Sequence, residues 1–190
     1  MERRTKEVRL KELRAIEDAE PEKMIVEGYA IVFDEPTDIG YIEVIERGAL
    51  DNCDMSDVCM KYNHEDTTLI MARTRNKSLQ LSVDDHGLKV YAELLDTTSN
   101  RDIYKSIQAG LLDKMSFAFI VSDANWETIE GRDVRRIKGI EKLFDVSVVD
   151  VPAYEQTEIY ARSKEAVEKE KEDFHKLQLE KDKMKLLLSL

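Results

Sequence analysis

The chain has 190 residues, 42% of them apolar and 36% charged, and a formal net charge of −11. That length suits one compact domain with an appendage, and the acidic balance argues against duplex nucleic acid or an anionic membrane as the main partner while leaving a basic protein substrate open. No run approaches the ~20 apolar residues of a membrane span, and Cys53 and Cys59 make no disulfide framework, so a cytosolic chain with reduced thiols and no secretory leader is expected.

Residues 1–23 are charged and lack clean periodicity apart from Val8, Leu10 and Leu13. Residues 25–33 read as a β-strand, 43–45 as a second short strand, and 47–50 as a turn into a short helix. Residues 58–63 form a third strand that leads to His64. Residues 79–83 and 88–95 flank Asp84-Asp85-His86-Gly87, a hairpin turn signal. Residues 99–112 predict a helix, with Ser99 as cap, Asp102 completing a capping box, and Ile103, Ile107 and Leu111 as its apolar stripe. Residues 115–121 return to strand. Two more strands, 133–140 and 142–151, follow, the last stopped by Pro152. The pattern predicts an α+β fold, mainly antiparallel β, as a barrel or sandwich with packed helices.

After Arg162 the composition changes. Residues 164–190 hold seven Lys and seven Asp or Glu with no Gly or Pro, and Phe174, Leu177, Met184 and Leu188 make a rough heptad seam. The expected division is a folded domain over 1–163 and a charged helical tail over 164–190. The tail is too polar to dock firmly on its own domain, so a partner is expected for it.

Three polar side chains stand inside otherwise apolar, strand-like runs: His64 in Tyr62-Asn63-His64-Glu65, Ser116 in Met115-Ser116-Phe117-Ala118-Phe119, and Asp145 in Leu143-Phe144-Asp145-Val146-Ser147. A serine, a histidine and a carboxylate are the parts of a hydroxyl nucleophile, its general base and the group that orients the base. Each residue alone also fits a structural role. His86 falls in the hairpin turn and His175 in the tail, which leaves His64 as the candidate base. Ser116 shares a strand face with Ala118 and Ile120, a small neighbour that leaves room for a peptide backbone. No Gly-x-Ser-x-Gly elbow surrounds it. Asp145 shares a face with Ser147 and Val149, and a carboxylate there needs a partner to be buried. Glu141 is the back-up. Cys59 lies five residues from His64, on the opposite face if the strand is regular, and is set aside as a nucleophile. No HxH, HExxH or CxxC spacing points to a metal site, and no cofactor is expected.

Seven short motifs, in order, resemble the HK97-like phage prohead (capsid-maturation) serine proteases. Glu27-Gly28-Tyr29-Ala30-Ile31-Val32-Phe33-Asp34 resembles the family's opening strand. Glu43-Val44-Ile45-Glu46-Arg47-Gly48-Ala49-Leu50 resembles its E-x-I-x-x-G-A-F element. Asn63-His64-Glu65 is similar to the N-H-D that carries the catalytic histidine. Asp84-Asp85-His86-Gly87-Leu88 resembles its hairpin, and Asn100-Arg101-Asp102 through Gly110 its central helix. Met115-Ser116-Phe117-Ala118-Phe119 resembles the S-F-G-F of the nucleophile, with Ala118 for the usual Gly. Leu143-Phe144-Asp145-Val146-Ser147 with Pro152-Ala153-Tyr154 resembles L-x-E-V-S followed by P-A-Y, with Asp145 one methylene shorter than the usual Glu.

The resemblance implies a herpesvirus-protease-like β-barrel and a serine endopeptidase with His64, Ser116 and Asp145 as its triad. It implies Arg135 or Arg136 as an oxyanion donor. It places the enzyme inside the immature capsid in the host cytoplasm, where it cuts the scaffolding segment from the major capsid protein, and commonly itself. Self-association is open, and neither nucleic acid nor membrane is expected as a partner. The competing classes are a non-enzymatic capsid-assembly scaffold or chaperone that works through the tail, and a general cytosolic hydrolase.

Overall fold

A computed structural model describes residues 4–8, 14–15, 23–66, 70–150 and 157–188. In chain order its elements are β1 (Arg4–Val8), β2 (Arg14–Ala15), β3 (Met24–Val32), β4 (Thr37–Asp38), β5 (Ile42–Ile45), β6 (Cys59–Tyr62), β7 (Ala72–Arg73), β8 (Leu79–Val83), β9 (Gly87–Leu94), α1 (Thr98–Gln108), β10 (Lys114–Ile129), β11 (Arg132–Val149) and α2 (Thr157–Leu188). This is a mixed α+β fold with mostly antiparallel strands.

The hairpin of β10 and β11 organises the larger sheet. Its turn, Glu130-Gly131, has both residues at positive φ (50° and 77°), the two-residue turn whose twist matches the flanking strands. Sequence periodicity suggested three shorter strands here. The structure joins 133–149 into one strand and carries β10 on to Ile129, with irregularities in register between Ala118 and Ala124. Those bulges shift the inward–outward alternation part-way along, which is why the pattern reads as separate pieces.

Along its other edge β11 is parallel to β5 (Val134 opposite Ile42) and, further on, to β6 (Asp145 opposite Cys59). The segment between β5 and β6 keeps this edge bonded: Ile140 N donates to Ala49 O at 2.8 Å and Leu143 N to Asp54 O at 3.1 Å. Residues 47–52 form turns there, not the expected short helix. β1 pairs with the outer edge of β10. The larger sheet therefore runs β1-β10-β11-β5-β4, with β6 and β7 attached to β11, and the second sheet runs β2-β3-β9-β8. Among the described residues neither path returns on itself, so the closed barrel suggested by the sequence is not formed by these pairings.

The β8–β9 turn falls where expected. Asp84 Oδ1 accepts from His86 N at 2.8 Å and Gly87 N at 3.0 Å. A Cβ on Gly87 would lie 1.9 Å from Ile31 O, so only glycine lets β3 pass. Helix α1 is displaced from its expected bounds. Thr97, not Ser99, caps it, accepting from Asn100 N at 3.2 Å. It ends at Gln108, before Gly110 at φ +69°, which leaves Leu111 outside the stripe and 75% exposed.

One face of β10, β11 and β6 supplies Met115, Phe117, Phe119, Val146, Val148 and Met60 to a core shared with Ile31, Leu88 and Val90 of the second sheet. Helix α2 does not stand apart from the domain. Val167 is buried, Glu170 accepts from Arg135 Nη2 at 2.9 Å, and Asp133 holds Lys171 Nζ at 2.6 Å and His175 Nε2 at 3.0 Å. The expectation that the tail packs on nothing of its own domain is corrected for residues 167–175: charge pairing anchors what apolar area alone would not. Residues 176–186 are exposed.

Candidate active site

Opposite residues in a ladder share a face, and so do residues two apart on one strand. Ser116 lies opposite Ser147, and Ala118 opposite Asp145. From the other side β6 sets Lys61 opposite Ser147 and Cys59 opposite Asp145. Ser116, Ser147 and Asp145 thus sit on the face that turns away from the phenylalanine core. All three are 0% exposed.

The strand ends at Tyr62, and the next two residues reverse the chain. Asn63 and His64 both take left-handed backbone (φ 51° and 57°). Asparagine tolerates this conformation; a histidine there costs on the order of 1 kcal/mol. Three bonds hold the turn against the end of β11. Asn63 N donates to Val148 O at 2.9 Å, Asp150 N donates to Asn63 Oδ1 at 3.2 Å, and Tyr62 Oη donates to Asp150 Oδ2 at 2.8 Å. The double left-handed step swings the His64 ring back over the sheet, where Nδ1 meets Asp145 Oδ1 at 2.5 Å.

Asp145 has further partners. The Ser147 hydroxyl donates to the same Oδ1 at 2.9 Å, and Lys61 Nζ lies 3.8 Å from Oδ2. Burial pushes the Asp145 carboxyl up, but His64, by hydrogen bond and charge, with Ser147 and Lys61, outweighs it, and the net shift is downward. With Nδ1–H bonded to a carboxylate, the neutral ring presents Nε2 as an acceptor. That Nε2 is buried and has no hydrogen-bond partner among the described residues.

The structure thus brings His64 and Asp145 into direct contact and places Ser116 across the ladder from Ser147, which shares Asp145's oxygen. Asp145 reaches the ring despite its short side chain. Glu141, the back-up, is exposed and lies four residues further back along β11. Cys59 was set aside by strand parity, but the strand stops short of His64, so that parity does not apply; Cys59 lies opposite Asp145. Burial pushes the thiol of the other cysteine, Cys53, up to about 11, which makes it inert at neutral pH. Arg135 and Arg136 are not at the site. They lie nine or more residues back along β11, roughly 30 Å at strand rise. Arg135 is bonded to Glu43 at 3.3 Å and to Glu170, and Arg136 to Glu127. Lys61, Ser147 and the Tyr62–Asp150 pair were not assigned roles from sequence. Only Ser147 carried a signal, its even spacing from Asp145.

Among the described residues no group of three or more His, Cys, Asp or Glu is gathered to hold a metal ion. No described helix is long and apolar enough to cross a membrane.

One sheet face thus gathers a serine, Ser116, and a buried carboxylate–imidazole pair, the side-chain types of a hydroxyl nucleophile with its base and orienting group. The family profile of the caudovirus prohead serine proteases matches residues 10–172, and the chain belongs to that family. It is accordingly a protease of phage capsid maturation, acting on capsid proteins within the prohead in the host cell. Among solved structures, the bacteriophage T4 capsid assembly protease aligns over 78% of this chain and 97% of its own, with 9% identity and a TM-score of 0.49. A search of curated proteins finds no match.

Proposed function

We propose that this chain is the serine endopeptidase that cuts the scaffolding segment from the phage major capsid protein, and also itself, with Ser116 as nucleophile, His64 as general base and Asp145 as the carboxylate that holds the base. The observation that carries this reading is the His64–Asp145 bond of 2.5 Å, with the opposite ring nitrogen buried and without a hydrogen-bond partner among the described residues. An unsatisfied buried acceptor costs about 1–3 kcal/mol. Its use is to receive a proton.

In the reaction Ser116 Oγ attacks the scissile carbonyl as Nε2 takes its proton. Asp145 stabilises the imidazolium without itself becoming protonated, and its carboxyl is held below the usual range by His64. The same Nε2 then gives the proton to the leaving amine. Bonds of this kind are commonly loose without substrate and tighten in the complex. Residues 1–163 form the protease domain in this reading, and the herpesvirus-protease-like description of its barrel belongs to it through the family resemblance. The tail, 164–190, offers its exposed stretch beyond Lys176 to the scaffold segment of the capsid protein.

Co-expression with the capsid protein of the same phage, followed by mass determination of both chains, tests the proposal. Wild type is expected to yield a capsid protein shortened at its scaffold end, and Ser116→Ala the full-length one. Normal processing by a folded Ser116→Ala protein would transfer the function to a partner and leave this chain as an assembly scaffold.

A further inference from the structure

Three strands lay one row of polar side chains across the larger sheet. Ser116 of β10 is opposite Ser147 of β11, and Ser147 is opposite Lys61 of β6. Met60, next to Lys61, is buried in the core on the other face, so the lysine joins the serines. Its ammonium lies 3.8 Å from Asp145 Oδ2 and 2.5 Å from Asp66 Oδ1. We infer, on the reading of Ser116, His64 and Asp145 as the triad, that Lys61 is a positioning residue of the reaction. It is a permanent cation behind Asp145 that keeps His64 unprotonated and able to act as a base, and Asp66 sets how strongly it does so.

The burial of this lysine has a chemical reason. Its side chain is 12% exposed, and lysine is seldom so covered unless it is paired. A lysine at the end of a short strand can turn its ammonium to water at little cost. Here the ammonium reaches a carboxylate that is 0% exposed. Asp145 uses Oδ1 for His64 Nδ1 and for the Ser147 hydroxyl, and its Oδ2 faces Lys61. While His64 is neutral, Asp145 is a buried negative charge, and such a charge draws a proton onto the imidazole bonded to it. A histidine that is already protonated is no general base. Lys61 balances the carboxylate in that resting state, and its charge opposes a second cation on the ring.

Asp66 works in the other direction. It stands two residues past His64, so its bond to Lys61 ties the far end of the turn to the strand that the chain has just left. Its negative charge offsets part of the lysine's field, and only part, because Asp66 is 67% exposed and screened by water. The other charged or titratable groups around the pair come from several elements. Arg73 of β7, opposite Cys59, is bonded to Asp57 at 2.6 and 2.7 Å. Cys59 lies opposite Asp145 on β6, Glu65 is exposed in the turn, and Asp150 accepts from Tyr62 Oη. On β10 and β1, Lys114 is opposite Val149 and Glu7 is opposite Ser116.

The experiment follows labelling of Ser116 by a small neutral fluorophosphonate, read by peptide mass spectrometry from about pH 5 to about pH 9, with Ser116→Ala as the blank. Such a reagent reports nucleophile and base without the titration of a protein substrate. In the wild type the rate rises with pH as the His64–Asp145 pair loses its proton. Lys61→Met is expected to move this rise up by about half to one pH unit, so that the variant is slow in acid and recovers towards the wild-type rate in base. Lys61→Arg keeps the charge and leaves the rise in place. Asp66→Asn moves it down by less, because the lysine is then offset less. Thermal melts of the same preparations identify any form that does not fold, and Asp66→Asn, altered at an exposed side chain, reads the same field if Lys61→Met is such a form. Profiles that coincide, or that shift with the opposite sign, would overturn the proposal alone. So would a Lys61→Met rate lowered by one factor at every pH, the mark of a merely structural residue. Absence of Ser116 labelling in the folded wild type at every pH would overturn it together with the triad reading on which it rests.

Discussion

Strand β11 carries two buried charges, Arg135 and Asp145, and they are held in opposite ways. Arg135 is clamped between two carboxylates from different elements, Glu43 of β5 and Glu170 of α2, with its guanidinium 5.9 Å from the Trp126 ring centre. Asp145 is bound to a histidine in left-handed backbone. Both ends leave a buried nitrogen without a partner, Arg135 Nε and His64 Nε2. The difference is chemical: an arginine N–H has no lone pair to receive a proton, whereas the imidazole nitrogen does. The first end joins helix to sheet. In the proposed function the second takes and returns a proton.

The largest expected effects break the Asp145 end. Ser116→Ala and His64→Ala each lose about six orders of magnitude in capsid cleavage, because nucleophile and base act as a unit. His86→Ala, altered in an exposed turn, stays close to wild type. Asp145→Asn loses roughly two to four orders of magnitude and Asp145→Glu keeps part of the activity, whereas Glu141→Gln is neutral. Cleavage rates and thermal melts of the same preparations separate chemistry from folding. A dead Glu141→Gln beside an active Asp145→Asn would reverse the assignment.

The Arg135 end should answer with the opposite signature. Arg135→Met removes the cation beside the buried Glu43 and costs about 3–5 kcal/mol of stability. Activity per folded molecule is retained. Adding Glu43→Leu returns much of the loss, which denaturant titration would show.

A smaller effect concerns the tail. Cutting after His175 keeps the anchors Glu170 and Lys171, so stability and cleavage hold while capture into proheads falls. Cutting after Arg162 removes the anchors as well and lowers stability by about 1–3 kcal/mol, as expected for loss of partnered charges. Denaturant titration of both truncations, with counts of protease per particle, distinguishes anchor from docking segment.

The smallest effect is on stability against pH. The Asp145 pKa is lowered in the folded protein. Its contribution is therefore complete above the unfolded value near 4 and is lost as pH falls through the lower folded value. Asp145→Asn has no such dependence, so the stability gap between it and wild type should narrow below about pH 4. A constant gap would mean that the carboxylate is not preferentially ionised in the fold.

Much of the site was legible because its members interrupt apolar runs. A lone serine between Met115 and Phe117, or an aspartate after Phe144, stands out in a strand pattern. The pairing of His64 with Asp145 was expected, but the turn that makes it was not legible, since two consecutive left-handed residues leave no mark in the periodicity. The α1 boundary was missed because Thr97, Ser99 and Asp102 are all plausible N-terminal signals, and only the backbone decides among them. The parallel pairing of β5 and β6 on β11 was hidden for another reason: those strands are four residues long and meet a partner about ninety positions away. The anchoring of α2 escaped the sequence because it rests on Arg135, read as an oxyanion donor, and Asp133, which had drawn no attention.

Ser116 and Ser147 face each other across one ladder, and the account gives them different work: Ser116 attacks, Ser147 steadies Asp145. Treating the folded protein with a fluorophosphonate and mapping the adduct by peptide mass spectrometry tests that division directly. The account predicts a single adduct on Ser116, absent in His64→Ala and strongly slowed in Asp145→Asn. An adduct on Ser147, or one on Ser116 that forms equally well without His64, would contradict it.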